Sequence, residues 1–420
     1  MNEQSSWIWD TPNAHFSSHL PDEPIGYFSP NALISKLSTF QSGFGGLLSY
    51  AVKANPDPDV LRCLTQNGVS IFDVASPAEI EMVRAIHPEA KLHYHNPVRS
   101  AQEIAQAKSH GIASWSVDAL SELDKLGDLP KGSEIAVRIK LPVAGGLYNF
   151  GEKFGAEPAQ AVPLLKAVAM RGLAPAITFH PGTQCTAPSA WESYIEAAAQ
   201  IAKAAEVRLL SLNVGGGFPA DRAAQPVDLL GIFNRIKAAK ERYFCDHNPV
   251  LVCEPGRGLV ADAFALVLRV KNIRPDGALV LNDGIYGALA EWRDMPPAHS
   301  RHIAVFNSKG DERLGKPAPR VIFGPTCDSL DRLCEPLALP MDIKEEDFVL
   351  IQGTGAYSAV LTSRFNGYGC SKQIYCRALT NTPRHLQASG YLALQRLHEA
   401  NQWKSLAKAS PFCGQRIIGF

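Results

Sequence analysis

The sequence lacks an excess of charge of either sign. Its 41 basic and 41 acidic side chains cancel, so the formal net charge at pH 7 is zero. A nucleic-acid-binding protein needs a basic patch that contacts phosphates, and a peripheral membrane protein needs a polybasic segment that contacts anionic lipids. The sequence contains no basic run of either kind. We therefore expect neither nucleic acid nor a membrane among its partners.

Long hydrophobic runs and a secretory leader are also missing. No stretch approaches the roughly 18 apolar residues of a transmembrane helix. Residues 1–21 carry Glu3 and Asp10 and have no apolar core after a basic start, so no secretory signal peptide is expected. These absences predict a globular cytoplasmic protein.

The sequence has no paired cysteine motif. Its nine cysteines are odd in number and scattered, and none forms a Cys-x-x-Cys pair. This usage predicts reduced thiols rather than a disulfide framework, and it favours no structural metal site. His93 and His95 could be interpreted as a metal-binding pair, but alternation along a buried strand is the commoner explanation.

What the chain does contain is a repeating alternation of strands and helices. From about residue 46 to residue 257, short β-type runs alternate with helical segments, which is the pattern of βα units. Most of the runs are apolar or β-branched, as strands buried on both faces are. Eight parallel strands of this kind most simply close into a (β/α)8 TIM barrel. The runs are 46–53, 70–75, 91–96, 114–118, 134–140, 176–180, 207–214 and 250–254.

After residue 265 the pattern changes to strands separated by glycine, proline and charged turns. This region predicts a second, β-rich domain of the β-sandwich or barrel-like type, completed by the N-terminal residues. We expect residues 30–265 to form the barrel, and residues 1–29 together with 266–420 to form the β-rich domain. The predicted strands are 263–270, 278–281, 319–323, 348–352 and 373–378.

In a barrel of this kind the chemistry lies at the C-terminal ends of the strands. Lys53 stands there; it is either a rim lysine with an exposed amine, or a desolvated lysine whose lowered pKa suits Schiff-base chemistry. Gly215–Gly217 is either a tight turn or a loop whose backbone N–H groups approach a phosphate. Glu254 is either an ion-pair partner or the residue that keeps a pyridine nitrogen protonated. The predicted set at the strand ends is Lys53, Asp73, Arg138, His180, Gly215, Gly216, Gly217, Glu254 and Arg257.

Nine short motifs follow one another in order between residues 50 and 358. They are Tyr50-Ala-Val-Lys-Ala-Asn, Phe72-Asp-Val-Ala-Ser, Lys153-Phe-Gly, His180-Pro-Gly-Thr-Gln-Cys, Asn213-Val-Gly-Gly-Gly-Phe-Pro, Glu254-Pro-Gly-Arg, Asn282-Asp-Gly-Ile-Tyr-Gly, Gly324-Pro-Thr-Cys-Asp-Ser-Leu-Asp and Gly355-Ala-Tyr-Ser.

In these motifs the chain resembles the barrel-type, alanine-racemase-fold PLP-dependent decarboxylases, which include the ornithine, lysine, diaminopimelate and arginine decarboxylases. The Cys-Asp-x-Leu-Asp form resembles the ornithine and lysine enzymes more than the Cys-Glu form typical of diaminopimelate decarboxylases. The resemblance implies pyridoxal 5'-phosphate (PLP) as the cofactor and a carboxy-lyase activity.

The resemblance also implies roles for individual residues. Lys53 would carry PLP on its amine, His180 would stack on the ring, and Glu254 would bind the ring nitrogen. Asp73, Glu79 and Arg138 would support Lys53, although Glu79 has an equally good explanation as a helix cap because Ser76 precedes it by three residues. The implied cofactor-binding residues are Lys53, Asp73, Arg138, His180, Thr183, Gly216, Gly217, Glu254, Gly256, Arg257 and Tyr357, with Lys53, His180, Glu254 and Cys327 as the catalytic residues.

Cys327 and Asp328 lie in the predicted second domain. In the family this segment completes the active site of the neighbouring subunit, which implies a homodimer with shared sites. Cys327 would protonate Cα of the substrate, and Asp328 would pair with its distal ammonium group. Without the resemblance, Cys327 would be explained as a small buried hydrophobic residue.

The chain departs from the ornithine decarboxylases after Tyr286. Those enzymes generally carry a second aspartate downstream; here the corresponding Asp294 is displaced by one residue and stands beside Arg293. An arginine would repel a simple diamino acid and could accept a carboxylate. We therefore predict decarboxylation of an ornithine- or lysine-like amino acid to a di- or polyamine, with a diaminopimelate- or carboxylated-polyamine-type substrate as the alternative. The implied substrate-binding residues are Asp328, Asp294, Arg293 and Tyr286.

Other functions explain the sequence less well. An alanine racemase would need a tyrosine acid opposite the lysine and would not explain Cys327 and Asp328. An inactive regulatory homologue would have lost cofactor residues that are present here. Residues 310–316 match the first part of a P-loop, but Pro317 replaces the required serine or threonine, which excludes a nucleotide site of that kind.

Overall fold

The computed structural model describes residues 8–147, 151–221, 227–294, 302–370 and 372–380. No helix among these residues combines the length and the apolarity that a membrane crossing requires.

The central part of the chain forms a closed barrel of eight parallel strands, as the sequence predicts. Each strand pairs with its neighbours in chain order, and β10 closes the ring by pairing with β3 and β9. Each of the eight predicted runs overlaps a strand; seven strands lie within their runs and are shorter, whereas β8 begins two residues before the run 176–180. The barrel strands are β3 (Leu47–Ala51), β4 (Ile71–Val74), β5 (Lys91–Tyr94), β6 (Ser114–Val117), β7 (Glu134–Arg138), β8 (Ala174–Thr178), β9 (Ser211–Asn213) and β10 (Val250–Cys253).

Helices connect the barrel strands and cover them from outside. Their first turns carry the expected signals: the hydroxyl of Ser76 accepts from the N–H of Glu79, and Ser100 and Glu103 form a complete capping box. Helix α2 precedes the barrel and α10 follows its last strand. The helices are α1 (Pro12–His19), α2 (Pro30–Gly43), α3 (Pro58–Gln66), α4 (Pro77–Ile86), α5 (Ala101–Ser109), α6 (Leu120–Lys125), α7 (Pro158–Met170), α8 (Pro188–Ala205), α9 (Leu229–Tyr243), α10 (Arg257–Val260), α11 (Glu291–Asp294) and α12 (Ser358–Leu361).

The remaining strands form a separate β-rich region. Its main sheet has the order β1-β18-β2-β11-β12-β15, and β17 pairs with both β11 and β13. Strands β14 and β16 form a two-stranded sheet. The strands are β1 (Ile8–Trp9), β2 (Ile25–Phe28), β11 (Phe264–Ile273), β12 (Leu279–Leu281), β13 (Ile303–Phe306), β14 (Pro317–Arg320), β15 (Ile322–Phe323), β16 (Leu337–Pro340), β17 (Phe348–Gln352) and β18 (Lys372–Cys376).

Strands β13 and β16 were not predicted from the sequence, and the single strand predicted at 319–323 corresponds to parts of two strands, β14 and β15. These strands are four residues or shorter, and prolines interrupt β14 and end β16. Short strands are held by their partners rather than by their own sequence pattern. The domain boundaries at residues 29/30 and 265/266 stay a prediction, and the last forty residues of the predicted β-rich domain, 381–420, lie outside the described residues.

The register of the barrel places polar side chains side by side. Ala51 pairs with Asp73, and Asp73 pairs with His93 on the next strand. On the other side of the ring, Thr178 pairs with both Arg138 and Asn213. Because the strands are parallel, residues just beyond these positions meet at one end of the barrel.

The β-rich region contacts this end of the barrel directly. The amide of Asn55 donates to the carbonyl of Gly355 at 2.8 Å, and the N–H of Tyr357 donates to the carbonyl of Ala54 at 2.9 Å. Both barrel residues lie just beyond β3. These contacts bring residues at least 300 positions apart in sequence to the same strand end.

Candidate active site

Lys53 and Asp73 form an ion pair at the mouth of the barrel. Strand β3 ends at Ala51, and Lys53 lies in a 3-10 turn immediately after it rather than in the strand itself. Its Nζ lies 3.0 Å from Oδ2 of Asp73; the lysine side chain is 47% exposed, whereas the aspartate side chain is 2% exposed. The amine therefore opens towards the barrel mouth while its partner is fixed in the interior.

The pKa of Lys53 is raised rather than lowered, which corrects the expectation from sequence. Loss of water acts to lower the pKa, but the negative charge of Asp73, followed by Tyr357 and Glu254, outweighs it. The family resemblance implies that Asp73 supports Lys53, but only the 3.0 Å contact shows that its charge outweighs the effect of burial on the pKa of Lys53. Without a cofactor, the Lys53 amine is thus held as an ammonium ion.

The loop Gly215–Gly217 has no room for side chains. A Cβ on Gly215 would lie 1.9 Å from the carbonyl oxygen of Phe179, and a Cβ on Gly216 would lie 2.8 Å from the carbonyl oxygen of Glu254. Gly215 and Gly217 also have positive φ angles of 66° and 83°. The glycines are therefore required by both backbone conformation and packing, and they leave a bare backbone surface next to His180.

His180 follows β8 and lies against this glycine loop. Its Nδ1 accepts from the N–H of Gly182 at 3.2 Å, and its Nε2 would lie 3.2 Å from a Cβ on Gly216. Burial, together with the positive charges of Arg138 and Lys53, lowers the pKa of His180 to about 3. The imidazole is thus neutral at physiological pH and presents a flat ring rather than a charge.

Arg138 and Thr183 flank the same space. Arg138 ends β7, its guanidinium lies 5.1 Å from the ring centre of Phe154, and burial lowers its pKa. Thr183 is buried, and its carbonyl accepts from the N–H of Leu147 at 2.8 Å. Both lie on the segments that border His180.

Glu254 is held by two donors on one oxygen. It follows β10 and is buried; its Oε1 accepts from Nδ1 of His95 at 2.5 Å and from Nδ2 of Asn213 at 2.6 Å. Burial acts to raise the pKa of Glu254, but His95, Lys53 and Asn213 lower it well below the ordinary value. The charge of Glu254 correspondingly raises the pKa of His95 against its burial. The described residues provide no hydrogen-bond partner for Oε2.

Arg257 and Tyr357 form the wall contributed by α10 and the β-rich region. Arg257 pairs with the buried carboxylate of Glu291, and its guanidinium lies 4.8 Å from the ring centre of Tyr357. Tyr357 adopts a left-handed backbone conformation with φ of 61° at the start of α12. Gly256 precedes Arg257, and a Cβ there would lie 2.8 Å from the Cβ of Ala54.

Glu79 binds the backbone at the start of α4. Its Oε2 accepts from the N–H of Ala75 at 2.8 Å, one residue before the N-cap Ser76, and its own N–H donates to the hydroxyl of Ser76. Burial raises the pKa of Glu79 to about 7. These contacts fix the start of the helix, and the role of Glu79 beside Lys53 stays a prediction.

Two of the predicted substrate-binding residues, Tyr286 and Asp328, contact each other in the β-rich region. The hydroxyl of Tyr286 donates to Oδ2 of Asp328 at 2.5 Å, and this hydrogen bond raises the pKa of Tyr286 and lowers that of Asp328. The positive charge of Arg293 acts on Tyr286 in the opposite direction. Cys327 is exposed, and its N–H donates to the side chain of Asn366 at 3.1 Å. Asp294 ends α11, and its side chain lies outside the described part of the chain.

The sequence did not predict the partners of Glu254 and Arg257. His95 and Asn213 both bind Glu254, and Glu291 pairs with Arg257. A signal for the first two existed. His93 on β5 and His95, which follows the end of β5, alternate in sequence and so are expected on the same face, and Asn213 ends β9 just before the glycine loop. No local signal marks Glu291, because its partner lies 34 positions earlier in the sequence.

The ligand atoms of His93, His95 and Glu254 lie within 4.8 Å of one another, which is close enough for a metal ion. Glu254 and His95, however, already satisfy each other through the hydrogen bond between them. This hydrogen bond explains why His95 and Glu254 lie close together without a metal ion. The absence of a metal site here stays a prediction.

We expect His93 and His95 to make stability depend on pH with opposite signs. The folded protein binds the proton of His95 more tightly than the unfolded chain does. The free energy that protonated His95 contributes to folding is therefore fully present below about pH 6.5 and is lost as the pH rises through the raised pKa of His95. Burial lowers the pKa of His93 to about 3. The unfolded chain therefore takes up that proton first, and stability falls below about pH 6.5 by at most about 1.4 kcal/mol per pH unit.

Denaturant titrations of the cofactor-free protein between about pH 5 and pH 8 measure how the free energy of unfolding depends on His93 and on His95. Glu254 stays ionised throughout that range, so its own titration does not contribute. Replacing His95 by Leu is expected to remove about 3 kcal/mol near pH 5.5, because it leaves Glu254 charged and unpaired, and to remove less towards pH 8. The matched His93→Leu variant is expected to gain relative stability as the pH falls. The same pH slope for both variants would show that Glu254 does not hold the proton of His95.

The residues at the barrel mouth fit PLP. The site offers a lysine amine, a buried carboxylate with an oxygen available for a ring nitrogen, a neutral imidazole ring, and a bare glycine backbone with a nearby arginine. These groups match the aldehyde, the pyridine nitrogen, the ring face and the phosphate of the cofactor, respectively.

Comparison with known proteins agrees with this fit. Residues 31–261 match the family described as the pyridoxal-dependent decarboxylase, pyridoxal binding domain. The lysine/ornithine decarboxylase of Selenomonas ruminantium is 33% identical over 328 residues, covering 76% of this chain and 80% of that protein. The chloroplastic ornithine decarboxylase of Nicotiana glutinosa is 32% identical over 338 residues, covering 77% of this chain and 76% of that protein.

A solved structure extends the similarity to the fold. The lysine/ornithine decarboxylase from Vibrio vulnificus complexed with putrescine has a TM-score of 0.69 and 25% identity, and the alignment covers 84% of this chain and 94% of that one. The strand-end lysine, the carboxylate beyond β10 and the glycine loop thus lie within the matched pyridoxal-binding region. The chain belongs to the pyridoxal-dependent decarboxylases.

Proposed function

We propose that this protein is a PLP-dependent carboxy-lyase that removes CO2 from a basic amino acid of the ornithine or lysine type and forms a diamine. The observation that carries the proposal is the set of Lys53, Asp73 and Glu254 at one barrel end, in a chain whose relatives are named lysine/ornithine and ornithine decarboxylases. An inactive regulatory homologue gains no support from the comparisons.

PLP bound at this site supplies an aldehyde that joins the substrate amine and a protonated ring that withdraws electrons from Cα. Lys53 would hold the cofactor through its amine, and Asp73 fixes the position of that amine through the 3.0 Å ion pair. Glu254 would accept a hydrogen bond from the protonated ring nitrogen, because its lowered pKa keeps it an anion. His180 would pack on the ring face as a neutral imidazole, which adds no charge that would oppose the ring.

The phosphate would lie against the bare backbone of Gly216 and Gly217. Arg257 and Tyr357 form the neighbouring wall, and Gly256 lets α10 approach β3 closely. Arg138 and Thr183 complete the border on the side of β7 and β8. The backbone N–H groups of such a loop suit a phosphate because no side chain prevents close approach.

We further propose that the substrate end of the site is shared between two subunits. Cys327 and Asp328 are exposed or partly exposed, and their hydrogen bonds are to Asn366, Tyr286 and Leu330, all of them in the β-rich region. In a homodimer, this exposed segment would reach the partner's barrel, where the Cys327 thiol would give a proton to Cα and Asp328 would pair with the distal ammonium group. A cytoplasmic location likewise stays our proposal.

The substrate class is tested by measuring CO2 release from L-ornithine, L-lysine, L-arginine and meso-diaminopimelate. We expect the highest kcat/KM for ornithine or lysine, because Asp328 offers a carboxylate to a distal ammonium. A preference for meso-diaminopimelate would instead assign the distal contact to Arg293. Indifference to all four amino acids would refute the proposal.

The shared site makes a quantitative prediction for mixed dimers. We expect Cys327→Ala to keep the cofactor absorption band and lose turnover, and Lys53→Ala to lose turnover as well. Exchange of subunits between the two variants would give one intact site in half of the dimers, which restores about a quarter of the wild-type activity if the dimer has twofold symmetry.

The control for this experiment is Cys334→Ala, which removes another exposed cysteine of the same region and should keep full activity. Mixed dimers that form, as shown by mass spectrometry, but recover no activity would refute sharing of the site. Full activity of Cys327→Ala alone would refute its role as proton donor.

A further inference from the structure

His95 lies against Glu254 in the buried interior of the barrel. Its Nδ1 is 2.5 Å from Oε1 of Glu254, and its Nε2 is 2.9 Å from Oγ of Ser114 on β6. All three side chains are buried; His95 is 6% exposed and Ser114 is 1% exposed. The proposed function assigns no role to His95 or Ser114.

We propose that His95, supported by Ser114, is a positioning residue that fixes Glu254 through Oε1 and so directs Oε2 to the ring nitrogen of PLP. This inference rests on the proposed function, because it takes Glu254 as the partner of the ring nitrogen.

The geometry determines which atom of His95 carries a proton. Nδ1 lies 2.5 Å from Oε1 of Glu254, which its lowered pKa keeps an anion, so Nδ1 donates to that oxygen. Nδ2 of Asn213 also lies 3.2 Å from Nδ1, but its shorter contact, at 2.6 Å, is the one in which it donates to Oε1 of Glu254. Ser114 serves both states of the ring: its hydroxyl donates to Nε2 of neutral His95 and accepts from Nε2 of the cation. The contact to Glu254 is therefore kept whether or not His95 is charged.

Asn213 orients the same oxygen from a second direction. Its Oδ1 accepts from the N–H of Gly215 at 2.9 Å, which leaves Nδ2 to donate to Oε1 of Glu254 at 2.6 Å. Because both donors bind Oε1, rotation of the carboxylate would break two hydrogen bonds at once. The amide also connects the glycine loop to the carboxylate, so both parts of the cofactor site share one support.

The charges around His95 favour this arrangement. Glu254 just beyond β10, Asp73 on β4 and Glu134 on β7 all favour the protonated ring, whereas burial and the neighbouring His93 oppose it. A carboxylate that already accepts two hydrogen bonds on one oxygen is a weaker base than an isolated one. Glu254 can then bind the ring N–H⁺ without taking its proton, which keeps the ring an electron acceptor.

Two amide substitutions separate the two nitrogens of His95. The amide nitrogen of Asn occupies the position of Nδ1, whereas that of Gln occupies the position of Nε2. His95→Asn is therefore expected to keep the contact to Glu254, and His95→Gln is expected to lose it. His93→Gln serves as the matched control, since His93 lies on the same strand, stacks 5.3 Å from His95, and has no hydrogen-bond partner for Nδ1 among the described residues.

The holoenzymes are compared by steady-state kinetics, by the visible spectrum of bound PLP across pH, and by the PLP dissociation constant. We expect His95→Gln to lower kcat by about tenfold, as loss of an orienting hydrogen bond behind a ligand commonly does, with KM unchanged. We also expect it to shift the pH midpoint of the cofactor band, whereas His95→Asn and His93→Gln should resemble the wild type. Spectra are normalised to bound cofactor, so partial unfolding does not imitate the shift.

Equal spectra and equal kcat for the Asn and Gln variants, or the same loss in His93→Gln, would overturn the role of His95. A parallel Glu254→Gln variant distinguishes this failure from failure of the proposed function. If Glu254→Gln leaves the cofactor spectrum unchanged, the ring nitrogen does not lie on Glu254 and the proposed site is wrong. If Glu254→Gln shifts the cofactor spectrum and His95→Gln does not, the result supports the proposed site and refutes the positioning role of His95.

Discussion

Replacing Lys53 by Ala is expected to lower CO2 release by at least about a thousandfold, which corresponds to about 4 kcal/mol of activation free energy. The reason is the loss of the amine that holds the cofactor and that returns to release the product. Steady-state CO2 release measures the effect. Borohydride treatment followed by mass spectrometry measures whether the cofactor is still attached to the chain.

The Ala variant has a side effect that requires a control. Asp73 is only 2% exposed, and without Lys53 its carboxylate would be buried without its partner, which is destabilising. Lys53→Arg keeps the positive charge opposite Asp73 but cannot form the bond to the cofactor. We expect both variants to be inactive and only Lys53→Ala to be less stable. Substantial CO2 release by the folded Arg variant would contradict the role of Lys53.

Replacing Gly215 by Ala is expected to destabilise the fold and weaken cofactor binding together. The new Cβ would lie 1.9 Å from the carbonyl oxygen of Phe179, a contact that only movement of the backbone can relieve. Gly215 also has φ of 66°, which is strained for alanine. We expect a loss of about 3 kcal/mol in the free energy of unfolding, measured by denaturant titration. Movement of the loop would also raise the PLP dissociation constant.

Gly172→Ala separates the clash from the strain. Gly172 has a similar φ of 70°, but a Cβ there would meet nothing within 4 Å. We expect this control to lose only about 1 kcal/mol, the cost of a left-handed alanine, and to bind PLP normally. Equal losses for the two variants would show that backbone conformation alone explains the glycine at position 215.

The barrel was predictable because it rests on local patterns. Short apolar runs separated by capped helices specify parallel strands, and Ser76 with Glu79 specify the start of α4 at the residue that the structure shows. The order of the motifs likewise places Lys53, His180 and Glu254 at strand ends. Strand ends in a parallel barrel meet at one edge, so the candidate site could be located before any distance was known.

The β-rich region was less predictable, for a physical reason. Strands β13 and β16 are four residues long and gain their hydrogen bonds from partners distant in sequence. The contact between Tyr286 and Asp328 at the substrate end was equally hard to predict, since a single hydrogen bond joins two residues that are 42 positions apart. A short pattern cannot specify which distant segment will be its partner.

The sequence by itself determined the barrel, the strand-end lysine and carboxylate, and the glycine loop, because each depends on local periodicity or on a residue type that its own backbone requires. Only the tertiary structure decided what these groups contact: the ion pair of Lys53 with Asp73, and the hydrogen bonds of His95 and Asn213 to one oxygen of Glu254. The pKa of Lys53 shows why these tertiary contacts matter for the chemistry of the site. Burial alone would lower it, but a carboxylate 3.0 Å away raises it, and the pairing of β3 with β4 brings the two together.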